Sequence, residues 1–141
     1  MKQLLAIALL SLSIGASAAT TPAGVVQRGL DAYIKEDAAA CIKGWLQGSA
    51  LEGNPQASTQ ANSLRQVEDF YGKPESYQVL GEHSIADRTK MVYFSVNFAK
   101  GPAFGRIQVF RLASGLWVST EFRFHTDAAQ VLPAHLAQGL R

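Results

Sequence analysis

Cysteine is nearly absent: Cys41 is the single one in 141 residues. One thiol cannot close an intramolecular bridge, so a disulfide framework is excluded and stability has to come from buried apolar surface. On its apolar helical face Cys41 reads as a small buried residue; an intermolecular disulfide is the other use open to it. Charge of one sign is missing too. The formal net charge is +2, with 17% charged residues scattered along the chain. Without a basic run there is no electrostatic footprint for nucleic acid or anionic lipid. After residue 20 no apolar run approaches the roughly twenty residues that cross a bilayer. The phosphate-cradling glycine loop, paired cysteines, the nucleophile elbow and a helical pair of zinc-binding histidines are all lacking. His125-Thr126-Asp127 has ligand residue types, but two ligands without a third make a poor zinc site, so no metal or cofactor is expected.

What is present begins with a leader. Met1-Lys2-Gln3 is a short positive stretch, Leu4 to Ile14 is apolar, and Ala16-Ser17-Ala18 supplies the small residues of a signal-peptidase site. The apolar run is too short to span a membrane. Residues 1–18 therefore read as a secretory signal peptide cleaved near Ala18, leaving 19–141 as the mature chain, periplasmic or secreted. The length fits one domain, and 48% apolar residues fit a globular one.

The mature chain changes period halfway. Thr20-Thr21-Pro22 is a helix start, followed by Val25, Val26, Leu30, Tyr33 and Ile34 at helical spacing. Asp37 caps a second helix carrying Cys41, Ile42, Trp45 and Leu46. Residues 48–59 read as a loop because of Gly48, Gly53 and Asn54-Pro55. A third helix is predicted from Thr59 to Tyr71, ended by Gly72-Lys73-Pro74. Alternation then takes over, with strands predicted over 76–85, 90–99, 104–112 and 116–126. Asp127 opens a short C-terminal helix broken by Pro133. Helices first and antiparallel strands after is the α+β pattern, with the helices gathered on one face of a four-stranded sheet.

The opening helix with Leu30-Asp31-Ala32-Tyr33, the Asp37-Ala38-Ala39 start of the next, and the hairpin from Gly105 to Val118 with Gly115-Leu116-Trp117-Val118 carry a resemblance. The chain resembles the nuclear transport factor 2-like (SnoaL-like, cystatin-like) superfamily over nearly its whole mature length. That resemblance implies N-terminal helices cradled by a curved antiparallel sheet. It also implies frequent pairing of copies through the outer sheet face, and Asp or His at the active sites of those members that are enzymes.

Strand parity assigns the faces. Val92, Phe94, Val96, Phe98, Ile107, Val109, Leu116, Val118, Phe122 and Phe124 are expected to meet the helices. Tyr93, Asn97, Arg106, Gln108, Trp117, Glu121, Arg123 and His125 are expected on the opposite face. His83, alternating with Val79, Gly81 and Ile85, is expected to point inward, where it is either a general base or an inert rim histidine. Trp45 and Tyr71 read as core anchors and, with His83, as the candidate lining of a helix–sheet pocket. Arg106, Glu121, Arg123 and His125 read as a cross-strand charge cluster. Tyr93, Trp117, Phe104 and Phe110 add an aromatic patch suited to an interface, giving Tyr93, Arg106, Trp117, Glu121 and Arg123 as the candidate interface residues. Two functions are open at this point. One is an exported non-enzymatic binding module, pairing with itself, an envelope protein or a small apolar ligand. The other is a small isomerase- or hydrolase-like enzyme using His83.

Overall fold

The computed structural model describes residues 18–138; of the leader read over residues 1–18, residues 1–17 lie outside the described residues. Three helices come first. Helix α1 (Pro22–Lys35) starts where the Thr21 hydroxyl accepts from Gly24 N–H at 3.0 Å, with Pro22 at the first helical position. Helix α2 (Ala38–Leu46) is capped by Asp37, whose carboxylate accepts from Ala40 N–H at 2.8 Å. Helix α3 (Pro55–Tyr71) begins four residues before its predicted start at Thr59. Asn54-Pro55 is a helix start and not a loop: the Asn54 side chain accepts from Gln56 N–H at 2.8 Å.

Strands β1 (Pro74–Ala86), β2 (Thr89–Phe98), β3 (Gly101–Arg111) and β4 (Trp117–His125) follow in order. They form one antiparallel sheet, β1-β2-β3-β4, so β1 and β4 are its edges. A 3-10 turn (Ala128–Gln130) and the short α4 (Ala134–Ala137) finish the described chain. The C-terminal helix expected after Asp127 is thus two short pieces either side of Pro133.

The helices lie on one face of the sheet, and the core is where they meet it. Val25, Val26, Leu30 and Tyr33 from α1 join Cys41, Ile42, Trp45 and Leu46 from α2, and Val92, Phe94, Val96, Ile107 and Val109 from the sheet. Helix α3 contributes only Ala61 and Leu64 to the fully buried set. Helices α1 and α2 cross closely because both carry glycine at the crossing. A Cβ on Gly44 would stand 2.8 Å from Gly29 Cα. Beside that crossing the Arg28 guanidinium donates to the carbonyls of Gly44 at 2.7 Å and Gln47 at 3.2 Å, supplying partners for the C-terminal end of α2.

Candidate functional site

Two bulges decide where the candidate side chains stand. In β1 the register skips Leu80, between Val79, opposite Phe94, and Gly81, opposite Tyr93. One extra residue reverses the alternation beyond it. His83 therefore pairs with Met91 on the face away from the helices and is exposed, which corrects the inward orientation expected from simple parity. In β4 the register skips Thr120, so Ser119 pairs with Val109 and Trp117 with Arg111. Trp117 is consequently on the helix-facing side, 6% exposed and part of the core, and not on the outer face where it was expected. Val118 makes the opposite move and pairs with Phe110. The bulge is anchored by Ser119, whose buried hydroxyl donates to the Trp45 carbonyl at 2.6 Å.

The space between helices and sheet is occupied by side chains. Trp45 lies with its ring 5.4 Å from Phe94 and 5.3 Å from Phe122, and its indole N–H donates to the Val26 carbonyl at 3.2 Å. It is a core anchor. Tyr71 is half-buried at the C-terminal end of α3, packed toward Phe98 and over Gly101. Trp45, Tyr71 and His83 are thus not brought together around one pocket.

A polar group that the strand and helix patterns did not single out lies beside α1. The Tyr77 hydroxyl donates to the Asp31 carboxylate at 2.7 Å, and burial together with that bond pushes the phenol up to about 12. The Tyr33 hydroxyl is buried without a hydrogen-bond partner, and burial, with Glu68 nearby, raises its pKa. The Tyr77–Asp31 contact links residues 46 positions apart, so sequence spacing carries no signal for it.

On the outer face, Arg106 stands between Tyr93 on one neighbouring strand and Arg123 on the other. Its Nε is buried and has no hydrogen-bond partner. Arg123 bonds along its own strand to Glu121 at 2.8 Å, an exposed pair of small energetic weight. The 3-10 turn lies against β3, and Val131 and Leu132 beyond it are buried. The outer face has thus lost Trp117 to the core. Among the described residues no three His, Cys, Asp or Glu side chains gather as a metal site. No helix among them is long and apolar enough to cross a membrane.

The most distinctive open feature is the groove between α3 and the free edge of β4. Two clefts run along it. One, of about 180 Å³, is lined by Leu46, Leu51 and Ala57 on the helical side and by Thr120, Glu121 and Phe122 on the strand. The other, of about 290 Å³, lies between Ser63, Val67, Phe70 and Tyr71 of α3 and Thr126. Phe70 is 80% exposed at this end. At the start of β4 the edge is closed, because Trp117 N–H donates to the Ala19 carbonyl at 2.9 Å. Among the described residues, no other element bonds to the backbone of 120–125 on that side. Outward-facing strand groups of this kind are a template for another strand.

Compared with protein-family descriptions, curated proteins and solved structures, the chain matches none.

Proposed function

We propose that this is an exported, non-enzymatic interaction module that takes an extended polypeptide segment onto the β4 edge, in the groove beside α3. The observation that carries the reading is the stretch 120–125, paired with β3 on one side and free on the other, flanked by a helix with an exposed Phe70. Strand addition at such an edge draws affinity from main-chain hydrogen bonds and selectivity from alternate side-chain pockets. Export rests on the leader sequence, Lys2 followed by Leu4–Ile14 and Ala16-Ser17-Ala18. The finer fold reading, a nuclear transport factor 2-like domain, is supported by three helices followed by four sequential antiparallel strands.

A non-enzymatic role is favoured over the isomerase or hydrolase alternative because His83 stands exposed on the outer face, away from a sheltered site where it could act as base. A small apolar ligand is disfavoured because Trp45, Phe94 and Phe122 fill the helix–sheet interface.

The test is an NMR titration of isotopically labelled mature protein with extended peptides selected on it from a random library. Amide shifts concentrated over 120–126 and along α3 are expected. Shifts centred instead on Tyr93 and Arg106 would place recognition on the outer sheet face and overturn the assignment.

A further inference from the structure

Resting on the reading of the β4 edge as a docking site, we propose that its resident occupant is a second copy of this chain. The two β4 strands pair antiparallel about a two-fold axis at Phe122, making one continuous sheet. The sequence around that residue is self-complementary. With Phe122 opposite its own copy, Glu121 falls opposite Arg123 of the other chain and Arg123 opposite Glu121. Residues 121 and 123 share the outer face, as their partners Gln108 and Arg106 show. Opposite charges directly across an antiparallel pair are favourable, and an aromatic pair at the axis adds to them. The existing Glu121–Arg123 contact is exposed, so exchanging it for the intermolecular pairs costs little.

The layout leaves room. Helix α3 meets β3 where Tyr71 packs over Gly101. With strands about 4.8 Å apart, two copies of β3 stand about 14 Å from each other across the seam, whereas packed helices need about 8–10 Å. The same two-fold carries the exposed Phe70 toward the other copy's cleft beside Leu46, Leu51 and Phe122. Ala19 closes the edge only at Trp117, outside the paired stretch. The opposite edge is less suited to pairing, because β1 is broken by three register irregularities along its length.

Sedimentation of the mature chain over a range of concentrations should show a monomer–dimer equilibrium. Arg123→Glu places Glu opposite Glu twice and should raise the dimer Kd about tenfold or more. Adding Glu121→Arg to that variant swaps the charges and should restore dimerisation. As an independent check of register, mixing Glu121→Cys and Arg123→Cys chains should give cross-linked heterodimers in excess of either self-cross-linked product. A monomer at every concentration overturns the proposal, as does a dimer insensitive to Arg123→Glu but lost in Tyr93→Glu. A monomer that still binds selected peptides over 120–126 removes self-pairing alone. One that binds none there removes the docking site as well.

Discussion

Cys41 and Tyr77 show how burial sets the chemistry of single side chains. Cys41 is fully buried on α2, and desolvation holds its thiol well above the ordinary range, so the reactive thiolate is scarce at neutral pH. Iodoacetamide should leave the native protein unlabelled and modify Cys41 only after denaturation. Rapid labelling of the folded chain would contradict the burial and favour an intermolecular disulfide at Cys41. Tyr77 is shifted up to about 12 by burial and by its bond to Asp31. Its neutral form is the one the fold favours, so its contribution is complete below the ordinary phenol value of about 10 and is lost as pH rises from there toward 12. Ultraviolet titration should show a late phenol that vanishes in Tyr77→Phe and moves to lower pH in Asp31→Asn.

At the scale of elements, the α1–α2 crossing and the β4 bulge matter most. A methyl group on Gly44 would press on the α1 backbone at Gly29, where nothing flexible can give way. Gly44→Ala should therefore destabilise the fold by about 1–3 kcal/mol, the range of an overpacked core, despite the better helix propensity of alanine. Thermal and urea melts would measure this, and an unchanged midpoint would show that the helices separate freely. Ser119 ties the bulge to the end of α2 through its bond to the Trp45 carbonyl. Ser119→Ala leaves that carbonyl short of a partner and should cost about 1–3 kcal/mol. Trp117, held inward by the same bulge, should respond with a shifted fluorescence maximum; a spectrum identical to wild type would argue that the bulge stands without the hydrogen bond.

For the whole molecule, the N-terminus that the proposed signal cleavage would leave and the proposed docking edge meet at one point. Ala19 is buried, belongs to the core cluster and accepts from Trp117 N–H. Cleavage of the proposed leader after Ala18 would keep that contact, and cleavage after Ala19 would remove it. Intact mass of protein recovered from the periplasm should therefore correspond to a chain starting at Ala19. A chain starting at Thr20 should be less stable by about 1–2 kcal/mol, the worth of one hydrogen bond and a small buried side chain. If the Thr20 form predominates with an undiminished melting temperature, the Ala19 cap is not structural.

The sequence by itself determined the element order, the helix caps at Thr21 and Asp37, and the apolar faces of β2 and β3. Those are local matters: a hydroxyl or carboxylate ahead of free N–H groups, and alternation that a regular strand preserves. It also carried the start of α3 in Asn54-Pro55, a dipeptide equally at home in a turn. What it could not carry was the side on which His83 and Trp117 lie, because each depends on one residue, Leu80 or Thr120, being skipped by the neighbouring strand. A bulge is fixed by partners distant in sequence, here Ser119 with the Trp45 carbonyl, 74 residues away. The open edge of β4 and the groove beside α3 likewise come into being only when the sheet ends and the helix is laid alongside it. Tertiary structure therefore turned Trp117 inward and left the outer side of 120–125 without backbone partners among the described residues.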